Sequence, residues 1–138
     1  QENNLLDDTI INNITLEFDN KKIDMEFLKK TIKQVGLSQL IHNSPNGYNS
    51  EIGPNGIALS GGERQRIGIA RAFYARKEIL VFDESTSNLD EMNKKKFIEM
   101  INDLSAISTI IMISHDKDVI KNCKKQYQIK DHKLLQTF

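Results

Sequence analysis

The stretch "ILVFDE", residues 79–84, decides the fold of this chain, because an unbroken apolar run leads directly into two carboxylates. A second apolar run, residues 109–113, ends at Ser114 and His115. Between the two runs, apolar side chains recur at helical intervals. A strand, a helix and a strand in this order, with both strands continuous in apolar residues, predict a buried parallel β-α-β unit. The expected fold class is therefore α/β.

Three polar side chains follow these two strands. Because a right-handed crossover leaves both strands parallel, Asp83, Glu84 and His115 are expected to converge at one edge of the sheet, where ligands of open α/β sheets bind. Asp83 is well placed to bind Mg²⁺ through oxygen or water. Glu84 could polarise an attacking water, and His115 could contact the transferred group. The alternative is that the two carboxylates merely end a strand, and the matching position of His115 argues against it.

A second candidate site lies at "LSGGERQR", residues 59–66, where a helix is predicted from about Ser60 to Ala75. Ser60 and Glu63 fit a capping box, which is an ordinary way to begin a helix. Gly61 and Gly62 do not fit that explanation, because each costs about 1 kcal/mol relative to Ala in a helix. Free N–H groups at the positive end of a helix dipole favour a phosphate approaching the glycines.

The remaining chain is mostly helical over residues 9–42, with Gly36 dividing that run into two helices. Turn formers make residues 43–58 a loop. Residues 127–130 and 133–136 are predicted to form a hairpin around Asp131 and His132.

Composition limits the classes of function. The 138 residues are enough for one domain, with 19 Lys plus Arg balanced by 19 Asp plus Glu, so no nucleic-acid partner is expected on general electrostatic grounds. No stretch approaches the roughly 20 apolar residues of a membrane span. The lysine runs 94–96 and 124–125 are interpreted as solvated faces. The single Cys123 is interpreted as a small, partly buried residue rather than a reactive thiol.

Motifs across nearly the whole chain resemble those of the ATP-binding domains of ABC transporters, which are P-loop NTPases. "LSGGERQRIGIARAF" (59–73) resembles the signature motif and its helix, "ILVFDE" the Walker B strand with its catalytic Glu, and "SNLD" (87–90) the D-loop. His115 in "IMISHD" is similar to the switch histidine. The start, "QENNLLDDTIINNI", resembles the segment that opens with the Q-loop glutamine in exporters, and "SEIGPNG" (50–56) the exporter loop before the signature.

This resemblance implies a site for ATP and Mg²⁺. In it, Glu84 polarises the attacking water, His115 contacts the γ-phosphate, and Asp83 and Gln1 bind Mg²⁺ directly or through water. The nucleotide-contacting residues that it implies are Ser60, Gly61, Gly62, Glu63, Gln1 and Asp90. The signature residues would reach a nucleotide on a second ABC ATPase domain, in a homodimer or heterodimer, with Asp90 at the seam.

Two departures from the family pattern matter. Pro54 stands where exporters usually carry Glu in the loop that meets the membrane domain. No Gly is followed by Lys, so the chain lacks a G-x-x-x-x-G-K-[ST] phosphate loop. We therefore expect the C-terminal part of a nucleotide-binding domain: a helical signature subdomain (1–75) and part of a RecA-like core (76–138), with an incomplete parallel sheet. The absent strand would lie beside the His115 strand and leave an unpaired sheet edge.

Three functions are compatible with the sequence. The first is the ATPase of a membrane exporter, at the cytoplasmic face of the cell membrane and joined to a transmembrane domain outside these residues. The second is a non-catalytic interaction module, because the chain lacks the phosphate loop needed to bind ATP. The third is a soluble ABC-type ATPase of DNA repair or translation, against which the exporter-like segments and the neutral charge argue.

Overall fold

The computed structural model describes residues 4–86 and 89–137. Residues 4–75, here called the helical half, contain the first four helices, and the strands lie in the residues that follow, here called the sheet half. The helices are α1 (Ile10–Thr15), α2 (Met25–Gln34), α3 (Ser38–Asn43), α4 (Gly61–Tyr74), α5 (Glu91–Leu104) and α6 (Lys117–Lys121). The strands are β1 (Ile79–Asp83), β2 (Thr109–Ile113), β3 (Tyr127–Lys130) and β4 (Lys133–Gln136). Short 3-10 turns cover Asn20–Lys22 and Gly47–Asn49.

Helix α4 is central to the helical half and packs against both α1 and α2. Its apolar face is buried and joins a core that extends to β1 and α5. Phe27 of α2 stacks on Phe73 with ring centroids 5.6 Å apart. The prediction that residues 9–42 are mostly helical is wrong for the link between α1 and α2, because α1 ends at Leu16 in the left-handed region (φ 52°).

Asn13 and Arg71 connect α1 to α4. The fully buried Asn13 amide donates to the carbonyl oxygens of Leu6 and Thr9, both at 3.0 Å, and its Oδ1 accepts from the Leu6 N–H at 2.8 Å. Arg71 Nε donates to the Asn13 carbonyl at 2.8 Å, and its Nη1 to the Asn4 carbonyl at 3.2 Å. Burial lowers the pKa of Arg71. The segment before α1 is thereby fastened to the central helix.

The predicted loop over residues 43–58 is confirmed, apart from its short 3-10 turn and the last residue of α3. It is tied to the chain before α1 by an antiparallel bridge between Thr9 and Glu51. Gly53 has φ 131°, and a Cβ there would lie 2.7 Å from Asp7 Oδ1, so glycine is required at this contact. The loop therefore has a defined conformation against the rest of the helical half.

Strands β1 and β2 form the predicted parallel pair, with Ile79 opposite Thr109 and Asp83 opposite Ile113. One face packs on α5, where the Phe82 and Phe97 rings meet edge to face at 5.6 Å. The prediction that both faces are buried is wrong: Val81 of β1 is 61% exposed and Ile113 of β2 52%. The physical reason is that, within the described residues, helices cover only one face of this pair.

The predicted hairpin is confirmed, with β3 and β4 antiparallel and Tyr127 opposite Gln136. Its two-residue turn, Asp131 and His132, has φ values of 49° and 60°, as a type I′ turn requires. Among the strands that the structure describes, β3 and β4 form a sheet of their own and do not pair with β2. Within these residues, no helix is long and apolar enough to cross a membrane.

Replacing Asn13 by Ala is expected to loosen the junction between α1 and α4. Each buried partner left without a hydrogen bond costs about 1–3 kcal/mol, so the free energy of local opening should fall by that order. Amide hydrogen exchange over residues 6–14 measures this change. Asn55→Ala, in the exposed part of the loop, is the matched control, and equal protection in both variants would refute the role given to Asn13.

Candidate functional site

The carboxyl ends of β1 and β2 form the first candidate site, here called the sheet-edge cluster (Asp83, Glu84 and His115). Asp83 is the last residue of β1. The Glu84 N–H donates to the Ile113 carbonyl at 2.9 Å, which continues the pairing one residue past the strand. At Glu84 the backbone enters the left-handed region, with φ 50°. The chain therefore turns sharply at the residue whose side chain is the candidate base.

Glu84 and His115 lie close together, as the parallel order of the strands predicts. His115 Nε2 is 3.5 Å from Glu84 Oε1. The His115 side chain is 97% exposed and that of Glu84 43% exposed, so both can be reached from outside. A carboxylate and an imidazole in this arrangement can orient a water molecule and exchange protons with it or with a bound oxyanion.

Asp83 supplies one exposed carboxylate at the last position of β1. Across residues 4–86 and 89–137, no group of three or more His, Cys, Asp or Glu side chains is arranged to hold a metal ion. Mg²⁺ is commonly held by one or two carboxylates together with phosphate oxygens and water. The donor set therefore fits a Mg²⁺ that arrives with a nucleotide rather than one held by protein alone. Gln1, the other predicted ligand, lies outside the described residues.

The second candidate site is the helix-start segment, residues 59–63, and its predicted capping box is confirmed. Ser60 Oγ accepts from the Glu63 N–H at 3.2 Å, while Glu63 Oε2 accepts from the Ser60 N–H at 2.8 Å and from its hydroxyl at 2.7 Å. The hydrogen bond from the Ser60 side chain is the main reason that the pKa of Glu63 is lowered. The carboxylate of Glu63 is thus part of the helix cap.

Gly61 opens α4 and is exposed. A Cβ built at this position would meet no atom within 4 Å among the described residues, so packing inside the chain does not require glycine here. Because the Glu63 N–H is taken by Ser60 Oγ, the N–H groups of Gly61 and Gly62 are the remaining donors in the first residues of this 14-residue helix. Backbone donors without a covering side chain fit a phosphate group.

Asp90, predicted to contact nucleotide at a dimer seam, is the N-cap of α5. Its Oδ1 accepts from the Asn93 N–H at 2.8 Å and its Oδ2 from the Asn93 amide at 2.7 Å. The backbone hydrogen bond from Asn93 is the first cause of the lowered pKa of Asp90. The first two residues of the "SNLD" stretch, Ser87 and Asn88, lie outside the described residues.

An ion pair that the sequence analysis did not predict lies next to the sheet-edge cluster. Lys94 Nζ is 2.7 Å from Asp116 Oδ2, and the two side chains are 17% and 21% exposed. The interpretation of Lys94 as part of a solvated face is therefore wrong, because its ammonium group is paired with a carboxylate that follows β2. Lys95 of the same run is exposed, as expected.

Of the two residues in this ion pair, only Asp116 has a recognisable signal in the local sequence. Asp116 before the short helix α6 has the residue type of an N-cap, but no local spacing connects it to Lys94. Cys123 agrees with its interpretation, because it is partly buried and burial raises the pKa of its thiol.

Comparison with known proteins decides the family. The family model described as "ABC transporter" matches residues 1–87. The chain belongs to the ABC transporter family. A member from Arabidopsis thaliana, "ABC transporter B family member 29, chloroplastic", is 34% identical over 134 residues, which are 97% of this chain and 21% of that protein. The "Alpha-hemolysin translocation ATP-binding protein HlyB" of Escherichia coli O157:H7 is 38% identical over 125 residues, 91% of this chain and 17% of that protein.

A solved structure agrees with the assignment to ABC transporters and with the P-loop NTPase fold class expected from the sequence. It is described as "Structure of a bacterial Atm1-family ABC exporter with ATP bound". It superposes with a TM-score of 0.76 at 30% identity and covers 91% of this chain and 22% of that one. The chain therefore spans about a fifth of the length of these ABC transporter relatives.

The capping box predicts a pH dependence of the start of α4. Because the folded pKa of Glu63 lies below its ordinary value of 4.5, its stabilisation is complete above that value and is lost as the pH falls through the lowered folded pKa. Glu63→Gln keeps both cap hydrogen bonds without a titrating group and is expected to remove this loss.

The measurement is the free energy of opening of the first turn of α4, taken from hydrogen exchange corrected for intrinsic rates between pH 6 and the acid limit of folding. Glu99→Gln, which removes an exposed carboxylate of α5, is the control and should retain the dependence. A pH profile of Glu63→Gln identical to that of the unmodified protein would contradict the assignment.

Proposed function

We propose that this chain supplies the hydrolytic groups and the signature segment of the ATP-binding domain of a membrane exporter. The observation that carries the proposal is the pair formed by Glu84 and His115, 3.5 Å apart at the carboxyl ends of two parallel strands. Family membership gives this pair a reaction to perform, because ABC transporter relatives include an ATP-binding translocation protein and an exporter solved with ATP bound.

Glu84 is the proposed general base. Its carboxylate would accept a hydrogen bond from a water molecule and aim that water at the γ-phosphorus of ATP. His115 would donate a hydrogen bond from Nε2 to the transferred phosphoryl group, and its 3.5 Å distance from Glu84 leaves it within reach of the same water. Asp83 and Gln1 are the proposed ligands of Mg²⁺. When bound, that ion would neutralise charge that develops on the phosphate oxygens.

We propose that the helix-start segment, residues 59–63, acts on a nucleotide bound by a second ABC ATPase domain. Ser60, Gly61, Gly62 and Glu63 would present the start of α4 to the phosphates, with the N–H groups of the two glycines as donors. The Ser60 hydroxyl would become a donor when it exchanges Glu63 for a phosphate oxygen. The exposure of Gly61 and the empty space around it support this role. Asp90 would lie near the seam, where its cap fixes the start of α5. Each complete site then needs both domains.

A transmembrane domain and a cytoplasmic membrane face are the remaining parts of the proposal. Relatives named for export or lipid flipping support them. The apolar face of β1 and β2 that carries Val81 and Ile113 is proposed to be covered, in the whole protein, by the portion of the domain that contains the phosphate loop. A large exposed apolar surface of this kind favours burial against another part of the assembly.

The second candidate function is a non-catalytic interaction module. The lack of a G-x-x-x-x-G-K-[ST] sequence in these residues favours it for the 138-residue chain by itself. Titration of the isolated chain with Mg-ATP distinguishes an ATP-binding chain from a non-catalytic interaction module. Binding in the micromolar range would contradict the expectation that the phosphate loop lies outside these residues. A soluble ABC-type ATPase is the least supported alternative, because the relatives named above are transporters.

Glu84→Gln in the intact protein is expected to stall turnover while ATP binding is retained. Loss of a general base lowers the rate by about 10²- to 10⁴-fold, and Gln preserves the size of the side chain. Steady-state ATP hydrolysis and equilibrium ATP binding measure the two effects. Glu78→Gln, at the opposite end of β1 and exposed, is the matched control; undiminished hydrolysis by Glu84→Gln would refute the proposed base.

Gly61→Ala separates the local stability of α4 from its proposed function. The added methyl group meets nothing within 4 Å, and Ala is favoured over Gly in a helix by about 1 kcal/mol, so the start of α4 should be as stable as before or more so. A methyl group would nevertheless obstruct a phosphate at the backbone, and hydrolysis in the intact protein should fall by at least tenfold. Wild-type turnover in this variant would argue against phosphate contact at Gly61.

A further inference from the structure

The ion pair between Lys94 and Asp116 joins two segments that the proposed function uses separately. Lys94 lies in the first turns of α5, and its backbone N–H donates to the Asp90 carbonyl at 2.8 Å. Asp116 directly follows His115. Lys94 Nζ and Asp116 Oδ2 are 2.7 Å apart, and this ion pair connects α5 to the chain after β2. A second carboxylate, Glu91, lies 3.5 Å from Nζ but is 81% exposed.

Asp116 determines how the chain leaves β2. Its N–H donates to Ser114 Oγ at 3.0 Å, and its Oδ1 accepts from the Asp118 N–H at 2.9 Å as the cap of α6. Three hydrogen bonds therefore fix the backbone on both sides of His115, and the third of them comes from Lys94. The hydrogen bond to Asp116 raises the pKa of Lys94, and the same bond lowers that of Asp116, so the pair is charged at neutral pH.

The position of the His115 side chain depends on the conformation of its backbone. Its side chain is 97% exposed, and its ion-pair contact is to Glu84 at 3.5 Å, so packing does little to select its position. The direction of the imidazole then depends on the conformation of residues 114–118. A displacement of about 1 Å in a reacting group can lower a rate by about 10²-fold.

We propose that Lys94 is a positioning residue that connects the start of α5, where Asp90 is the cap, to the loop carrying His115. This inference rests on the proposed function of Glu84 and His115. A shift of α5 at its first turn would move Nζ and, with it, Asp116 and the backbone of His115. Events at the dimer seam near Asp90 would in this way change the position of the histidine that contacts the phosphoryl group.

The test uses four variants of the intact protein that carries this chain. Lys94→Met removes the charge and keeps an unbranched apolar stem, and Lys94→Arg keeps the charge. Asp116→Asn removes the charge, while Asn still caps α6. The double variant Lys94→Met with Asp116→Asn completes a thermodynamic cycle. Lys95→Met, one residue away on the exposed side of α5, is the matched control.

Two readouts are needed, one of them independent of hydrolysis. The first is steady-state kinetics, in which a positioning role lowers kcat about 10- to 100-fold and leaves the KM for ATP unchanged. The second is hydrogen exchange in the nucleotide-free protein over residues 113–121. Both single charge-removing variants should lose protection there, while protection of β1 and α4 reports whether the domain is still folded.

The expected pattern is that Lys94→Met and Asp116→Asn have equal effects on kcat, the double variant is no worse than either, and Lys94→Arg and Lys95→Met resemble the unmodified protein. Multiplied effects in the double variant, or unchanged kcat in Lys94→Met, would overturn the inference. These outcomes remain distinct from failure of the proposed function, which is reported by hydrolysis in Glu84→Gln. If that variant is inactive while Lys94→Met is fully active, only the positioning role is wrong.

Discussion

The contact between Arg71 and Asn13 is the interaction on which the helical half depends. Arg71 lies near the end of α4 that is opposite the helix-start segment, and its guanidinium donates to the Asn13 carbonyl at 2.8 Å. Asn13 in turn fixes Leu6 and Thr9, and the Thr9 bridge to Glu51 fixes the loop before α4. One buried amide, whose hydrogen-bonding groups all have partners, therefore helps to position two segments that precede α4, the chain before α1 and the loop that contains Glu51.

The sheet half depends on a different constraint, the parallel register of β1 and β2. With Asp83 opposite Ile113, the residues that follow the two strands emerge at the same level of the sheet. The Glu84 N–H extends the ladder by one bond and then the backbone turns to φ 50°. A one-residue slip of this register would reverse the faces of one strand. The buried Leu80 and Phe82 therefore fix the same alignment that brings Glu84 to His115.

Sequence patterns predicted the features that depend on residues close in the chain. The capping box of Ser60 and Glu63, the extent of α4 and the turn at Asp131 each follow from local spacing. The proximity of Glu84 and His115 was also predictable, because parallel topology converts two strand ends into one edge. The pattern did not predict that Val81 and Ile113 are exposed. Apolar residues show that a strand can be buried, but they do not show which part of the protein covers it. Nor could local spacing predict the pair of Lys94 and Asp116, because charged residues separated by most of a β-α-β unit meet only after the fold is formed.

Each candidate site contains one residue that departs from what local energetics favours. Gly61 begins α4 although an Ala would fit and would favour the helix by about 1 kcal/mol. Glu84 occupies the left-handed region at φ 50°, which costs a non-glycine residue about 1–3 kcal/mol. Their neighbours follow local rules closely: Ser60 and Glu63 complete a capping box, and Leu80 and Phe82 are buried. Left-handed geometry alone does not mark a site, because Leu16 after α1 and Arg76 after α4 also have it. What distinguishes Glu84 is its position at the end of β1, close to His115. At Gly61 the departure agrees with the proposed phosphate contact, since no side chain covers the backbone there, and at Glu84 it accompanies the 3.5 Å approach of the carboxylate to His115.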